Sequence, residues 1–304
     1  MVPLAKAPVR LESGGAVASL LPDGRRLHLQ HGPIDLVIEA VGTSAEVALA
    51  YGQAWACFRD LLVTLAKELP LLRSPLGGRY PRASGPVARR MVRACWPYRV
   101  AFITPMAAVA GAVADEVLAA LVTGRSLARA YVNDGGDIAF HLAPGEAFSA
   151  GVVADIASAS LFGTLSLTAA MPVRGLATSG RATKGQGGRS FSLGIADSVT
   201  VLAEDGAAAD AAATVVANAV DLDHPAVRRL PASELDPASD LGDIAVTVGL
   251  GPLEPAAVER ALANGAGKAQ ALLADGLIAG AVLTLRGACR VVGRAHAQIA
   301  PAAA

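Results

Sequence analysis

Residues 131–137 read Tyr-Val-Asn-Asp-Gly-Gly-Asp, an apolar strand end that runs into two glycines flanked by carboxylates. Two further stretches have the same design. Ala177-Thr178-Ser179-Gly180 closes a second apolar run, and Ala209-Asp210-Ala-Ala-Ala-Thr214 follows a third run over 198–203. Each stretch places oxygen ligands or bare backbone N–H groups at the end of a predicted strand, where loops on a rigid scaffold carry function. We therefore expect the chemistry at these three places.

Outside these stretches, short apolar runs alternate with turn residues. Strands over 16–21 and 26–30 flank the turn Pro22-Asp23-Gly24, and a third strand follows at 34–40. Later runs are bounded by Gly, Pro or Ser, and their spacing predicts a mostly antiparallel sheet. These runs are 129–133, 137–142, 150–155, 163–168, 173–178 and 198–203.

Helical periodicity predicts three long helices and one further helix that begins after Thr104. A helix capped by Ser44 is expected to run through Glu68, and residues 70–86 form a long irregular connection. The other predicted elements are helices over 106–123, 207–220 and 255–275, a strand over 244–248, and a hairpin of 277–285 with 289–292. This order predicts an α+β fold of long helices packed on antiparallel sheets, as one domain over 1–304 or two intimately packed halves.

Bulk composition narrows the class of partner. The chain has 304 residues, 53% of them hydrophobic, which is enough for a substantial core. Lys+Arg and Asp+Glu are equal at 26 each and aromatics are only 4%, so nucleic acid is not expected as a partner. The sequence lacks a secretory h-region and an uninterrupted apolar run of about 18 residues, so we expect a cytoplasmic protein without a membrane partner. The cysteines Cys57, Cys95 and Cys289 are expected to be reduced thiols.

Asp210 and Thr214 form a candidate cation site. Their oxygens are four residues apart on a predicted helix and so share one face, where a carboxylate and a hydroxyl could hold Mg²⁺ with help from water or a ligand phosphate. An alternative interpretation is structural. In it, Asp210 opposes a helix dipole and Thr214 bonds back to the preceding turn.

The two other stretches have the chemistry of ligand loops. Gly135 and Gly136 allow backbone N–H groups to approach a phosphate, and Asp137 could bind a hydroxyl or a metal, although a plain hairpin turn explains the glycines equally well. After Thr178-Ser179-Gly180, the segment 181–190 carries Arg181, Lys184 and Arg189 among glycines, so it could wrap an anion or be a surface loop. We expect no comparable local excess of positive charge elsewhere on this balanced chain.

Taken in order, these stretches resemble the motifs of the ApbE-like superfamily of flavin transferases. The matching stretches are Ala110-Gly111 with Asp115, Val132–Asp137, Thr178–Gly180, Ser198–Val201 and Ala209–Thr214. Four further phrases resemble uncharacterised protein family 0280, an offshoot of that superfamily, and with them the resemblance extends over nearly the whole chain. These phrases are 31–36, 102–111, 189–197 and 239–243.

The resemblance implies a T-fold-like architecture that binds FAD or FMN as its small-molecule ligand. It implies that Mg²⁺ is held by Asp210 and Thr214, and that the ligand is contacted by the residues of the other two stretches, Asn133, Gly135, Gly136, Asp137, Thr178, Ser179 and Gly180. In the transferases, a target Ser or Thr hydroxyl takes FMN and AMP is released. The chain lacks their helix lysine, since it reads Val109-Ala110-Gly111, and has Ser192–Asp197 in place of their histidine segment. No catalytic residue is predicted.

Two other functions stay open at this point. The same fold could serve an enzyme in the biosynthesis of a pterin-type one-carbon cofactor, because T-fold relatives hold such rings. Alternatively, this Gly- and Ala-rich chain could form a homo-oligomer that acts as a flavin carrier or scaffold.

Overall fold

A computed structural model of the chain describes residues 11–155, 160–180, 191–293 and 299–301. Its contacts divide the chain into two compact units. The first unit holds the described residues of Met1–Phe148, Leu167–Leu176 and Asp205–Asp210. The second unit holds those of Ser149–Ser166, Ala177–Glu204 and Ala211–Ala304.

The first unit is built on consecutive antiparallel strands whose apolar residues alternate, so that one face is buried. In the third strand Leu27 and Leu29 are buried, and in the fourth Leu36 and Ile38 are buried. The sheet order follows the chain from β1 to β6. The strands are β1 (Leu11–Ser13), β2 (Ala16–Leu20), β3 (Leu27–His31), β4 (Ile34–Gly42), β5 (Leu127–Asp134) and β6 (Asp137–Leu142).

A helical insertion separates β4 from β5. It contains α1 (Ser44–Phe58), α2 (Leu61–Lys67), α3 (Leu69–Leu72), α4 (Pro86–Cys95) and α5 (Val109–Val122). α5 packs on α1, β5 and β6. Then β9 (Gly175–Ser179) pairs with β6 through Leu176 opposite Ile138.

The second unit contains its own antiparallel strands and two long helices. The strands are β7 (Ala147–Asp155), which begins in the first unit, β8 (Ser160–Thr168), which ends in the first unit, β10 (Ser198–Ala203), β11 (Val227–Pro231), β12 (Ala245–Leu250), β13 (Gly280–Leu285), β14 (Ala288–Gly293) and β15 (Ile299–Pro301). β13 pairs with both β10 and β14, β11 pairs with β12, and β15 pairs with β8. The helices are α6 (Gly206–Ala219), whose first turn belongs to the first unit, α7 (Ala232–Leu235) and α8 (Pro255–Ala274).

The predicted α+β class with antiparallel strands is confirmed, and the differences in detail have local causes. The cap of α1 is Thr43, whose hydroxyl accepts the Glu46 N–H at 3.3 Å, one residue before the predicted cap. The helix predicted through Glu68 ends at Phe58, and a second helix begins at Leu61 with Asp60 as its N-cap. The apolar spacing continues across this break, so periodicity alone did not reveal it. Similarly, Thr104 precedes a 3-10 turn over Pro105–Ala108, and α5 starts only at Val109.

The connection predicted over 70–86 is partly helical. α3 occupies its start and α4, which the sequence analysis missed, begins at its end with Pro86 in the first turn. The irregular part is pinned by Glu68, whose carboxylate accepts the N–H groups of Ser84 and Gly85 at 2.6 Å each. This connection is therefore held in place by hydrogen bonds.

One region passes the length and composition test for a membrane span. It is Pro105–Val122, with a mean hydropathy of 1.7, and half of it is buried in the fold. Its two carboxylates have partners within the first unit. Asp115 accepts backbone N–H groups, and Glu116 pairs with Arg90 at 2.9 Å.

The N-termini of α5 and α6 are joined by hydrogen bonds in both directions. Asp115 of α5 is buried and accepts the N–H groups of Gly206 and Ala207 at 2.8 Å each, at the start of α6. In return, Asp210 of α6 accepts the Gly111 N–H of α5 at 3.1 Å. The first N–H groups of a helix have no partner inside it, so each helix satisfies donors of the other. Burial, followed by the charge of Asp205, raises the pKa of Asp115 to about 6.

We predict that Gly111→Ala weakens this junction. A Cβ at Gly111 would lie 2.1 Å from the Gly206 carbonyl oxygen, a backbone atom that cannot turn aside. The helices would have to separate, so the free energy of unfolding should fall by about 2 kcal/mol or more, measured by chemical denaturation.

Gly52→Ala is the matched control, because a Cβ at this helical glycine of the same unit meets nothing within 4 Å. It should leave the protein equally stable or stabilise it by up to about 1 kcal/mol. Equal stability of the two variants would contradict the close helix junction.

Candidate functional site

The two glycines of the opening motif form the turn between β5 and β6. Asp134 and Asp137 are register partners that close the hairpin, and the Gly136 N–H donates to the Asn133 side-chain oxygen at 2.8 Å. Gly135 and Gly136 have positive φ angles of 63° and 112°, which is the geometry that favours glycine in a two-residue turn. A Cβ added at either glycine would meet nothing within 4 Å. The turn therefore needs glycine for its backbone, and the space beside it is open.

The carboxyl group of Asp134 is poorly solvated and near another acid. Burial, followed by the negative charge of Asp137, raises its pKa to about 8, and an N–H donated by Asp35 acts in the opposite direction. The sequence analysis did not place Asp134 among the site residues. The available signal was its position directly before the glycines, opposite Asp137 across the turn.

Asp210 lies in the same electrostatic environment. Burial raises its pKa well above the usual range of a carboxyl group, followed by the charge of Asp137 and, more weakly, that of Asp134. The N–H groups of Gly111 and Ala110 favour the charged form, but they do not offset these effects. Asp134, Asp137 and Asp210, which we call the acidic cluster, thus repel one another's ionised forms within the first unit.

The hydrogen bond from Gly111 changes the structural interpretation of Asp210. Asp210 caps the N-terminus of α5, not that of its own helix. Thr214 lies one turn further along α6, and within the described residues its hydroxyl has no recorded bond back to the preceding turn. Thr64 and Thr123 do make such bonds, at 2.9 and 2.6 Å. Back-bonding therefore does not account for Thr214.

The acidic cluster is not a complete protein-only metal site. Among the residues that the structure describes, no three His, Cys, Asp or Glu side chains are arranged to hold a metal ion. Mg²⁺ usually binds through only one or two carboxylates, together with water and ligand phosphates, so the donor chemistry of Asp210 fits this ion. Thiol chemistry is not favoured, because burial raises the pKa of Cys57 and Cys289 to about 11 and that of Cys95 well above its usual value.

The Thr-Ser-Gly stretch ends β9 and its three residues lie in the second unit. The hydroxyls of Thr178 and Thr200 are 2.9 Å apart, which ties β9 to β10. Gly180 has φ 144°, and a Cβ there would lie 2.6 Å from the Asp197 carbonyl oxygen. Glycine is therefore required at this position. The candidate anion loop 181–190 lies outside the described residues.

An α+β fold with the glycine turn, the Thr-Ser-Gly strand end and Asp210 near the start of α6 defines an ApbE-like protein. Residues 18–291 match the family described as AbpE bacteria, and the chain belongs to that family.

Two UPF0280 proteins are similar in sequence. The chain is 33% identical over 186 residues to one from Methanopyrus kandleri, covering 60% of this chain and 70% of that protein. It is 38% identical over 141 residues to another from Methanothermobacter thermautotrophicus, covering 46% of this chain and only 50% of that relative's length. The predicted membership of family 0280 is confirmed.

Among solved structures, the chain is similar to the apo form of the flavinyl transferase ApbE from Pseudomonas stutzeri. The sequence identity is 11%, the TM-score is 0.42, and the match covers 95% of this chain and 94% of that one.

The raised pKa of Asp134 predicts a pH dependence of stability in the presence of a metal chelator. The folded protein keeps a proton that the unfolded chain loses near pH 3.8, so this contribution to stability is complete below that pH and disappears as the pH rises through about 8. Asp134→Asn cannot titrate. Its unfolding free energy, measured in urea, should decline less than that of the wild type between about pH 5 and about pH 9.

Asp275→Asn provides the comparison, because Asp275 is exposed at the end of α8. This variant should follow the wild-type pH profile. An Asp134→Asn profile parallel to the wild type would show that Asp134 does not titrate as described.

Proposed function

We propose that this chain binds a flavin nucleotide, FAD or FMN, together with Mg²⁺. The observation that carries the proposal is the acidic cluster, in which Asp210 interacts electrostatically with Asp134 and Asp137. Asp134 and Asp137 flank the glycine turn, and the space beside its two glycines is open. Mutually repelling carboxylates with raised pKa values are typical of functional sites. Membership of the AbpE bacteria family, together with the motif resemblance, supports a flavin as the ligand class.

Asp210 and Thr214 are the proposed Mg²⁺ ligands. A divalent cation would stabilise the ionised Asp210 against its burial and against the charge of Asp137, which are the two largest causes of its raised pKa. When bound, Mg²⁺ would neutralise charge on the ligand's phosphates, and the flavin would supply its heteroaromatic ring.

The other proposed contacts fall into one group in each unit. In the first unit, the space beside Gly135 and Gly136 is open to a phosphate. Asn133 holds the turn by accepting the Gly136 N–H, and Asp137 supplies a carboxylate. In the second unit, Thr178, Ser179 and Gly180 supply hydroxyls and a bare backbone. A cytoplasmic location and a homo-oligomeric state belong to the same proposal.

Calorimetric titration with FAD tests the proposal. The wild type should bind FAD more tightly with Mg²⁺ than with a chelator. Asp210→Asn keeps an oxygen to accept the Gly111 N–H but loses the charge, so it should weaken FAD binding in Mg²⁺ by at least about tenfold. In the chelator, the two proteins should bind alike.

Asp275→Asn is again the control and should titrate like the wild type. An absence of FAD and FMN binding, or a Mg²⁺ effect that persists in Asp210→Asn, would refute the proposal. Chromatography of the bound ligand then separates the related activities. Release of AMP with FMN joined to a protein hydroxyl indicates a transferase, whereas recovery of intact FAD indicates a carrier. Preference for a pterin over FAD would favour the biosynthetic alternative.

A further inference from the structure

The arginines of the first unit are concentrated in one part of the chain. Residues 69–114 contain seven arginines and no Asp, Glu or Lys, although the whole chain is balanced at 26 charges of each sign. The expectation that positive charge is concentrated only at 181–190 is therefore wrong. We call residues 69–114 the arginine segment.

A cavity of about 710 Å³ lies against the arginine segment, within the first unit. This volume is within the range of small-molecule sites. Four guanidinium groups line it, together with one carboxylate and one exposed ring. The lining residues that matter here are Arg82, Arg89, Arg90, Arg93, Glu116 and Tyr80.

Only two of the four cavity arginines have carboxylate partners among the described residues. Arg90 pairs with Glu116 at 2.9 Å, and Arg93 pairs with Asp205 at 2.5 Å. Arg89 instead donates to the Ser84 carbonyl oxygen, and Arg82 has no recorded ion pair in the described chain. The group thus has two more positive than negative charges, and unused guanidinium donors are available to a ligand.

The cavity wall is rigid. Arg89 and Arg93 are one turn apart on α4 and so share a face of that helix. The opposite side of α4 is anchored in the core, where Met91 and Cys95 are fully buried. The Glu68 carboxylate fixes the backbone just before α4. Arg89 and Arg93 are therefore fixed on one face of α4 in a cavity with fewer carboxylates than arginines, which favours binding of an anion.

We propose that this cavity binds a small molecule carrying at least two phosphate groups. Guanidinium groups bind phosphate oxygens through paired hydrogen bonds, and two unpaired groups match two phosphates. Tyr80 is 48% exposed and its ring is held by Trp96 at a centroid distance of 4.9 Å, so it offers an apolar wall to the rest of such a molecule. The proposal uses neither the acidic cluster nor the glycine turn, and is independent of flavin binding.

The test is a titration of the full-length protein with inorganic tripolyphosphate and with pyrophosphate, in a chelator so that Mg²⁺ plays no part. The wild type should bind tripolyphosphate, and binding should weaken from about 50 to about 200 mM salt. The double variant Arg82→Gln/Arg89→Gln should bind at least about tenfold more weakly, because the two unpaired guanidinium groups are gone.

The control Arg59→Gln/Arg228→Gln removes the same charge from exposed positions outside the cavity. It should bind within about twofold of the wild type, since exposed charges that do not line the cavity are largely screened by salt. An equal loss in both double variants would show that binding is nonspecific, and would overturn the proposal. Unchanged thermal stability of the cavity variant rules out unfolding as the cause, since neither replaced arginine has an ion pair to lose.

Three further titrations complete the design. Asp210→Asn should bind tripolyphosphate like the wild type, so failure of flavin binding and failure of this proposal are distinguishable. Citrate that binds as tightly as tripolyphosphate would overturn the assignment to phosphate. Binding of a single-stranded RNA oligomer without any binding of tripolyphosphate or pyrophosphate would overturn the small-molecule proposal in favour of a nucleic-acid surface.

Discussion

The exchange of hydrogen bonds between α5 and α6 is the constraint on which the first unit depends. Asp115 satisfies the first N–H groups of α6, and Asp210 satisfies an N–H of α5, so each helix start is completed by a carboxylate from the other. Because the first turn of α6 belongs to this unit, the exchange fixes Asp210 beside the hairpin that carries Asp134 and Asp137. The side chain of Asp210 thus both caps α5 and belongs to the candidate cation site.

This double role explains why neither simple interpretation of Asp210 is sufficient. A carboxylate placed only to cap a helix would gain from ionisation, whereas Asp210 is held among acids that raise its pKa. The same unit has the opposite situation at the arginine-lined cavity, where two of the four guanidinium groups lack carboxylate partners among the described residues. Equal totals of acidic and basic residues therefore conceal separate regions of each sign.

Local patterns predicted the strands well, because alternation and turn residues act over a few positions. β6 and β10 were predicted to the residue, and the Gly135-Gly136 turn was one of two stated alternatives. α4 was missed because its buried face repeats over only ten residues between proline-rich segments. The sequence could not show that Asp134, Asp137 and Asp210 lie near one another, because Asp210 is far from Asp134 along the chain. The α5 and α6 junction brings Asp210 near the hairpin. The role of Asp115 as an acceptor for the first N–H groups of α6 was hidden for the same reason.

The α5 and α6 junction also limits which substitutions the chain can accept. A Cβ at Gly111 would strike the Gly206 carbonyl oxygen, and a Cβ at Gly206 would lie 2.9 Å from the Gly111 carbonyl oxygen. Both positions already hold the smallest residue, and the atoms in the way are backbone, so no second substitution can make room for the first. At a core contact between two side chains, a larger residue on one side can be compensated by a smaller residue on the other. No such compensating substitution exists where α5 and α6 cross. Any descendant of this chain that keeps the acidic cluster must therefore inherit both glycines together.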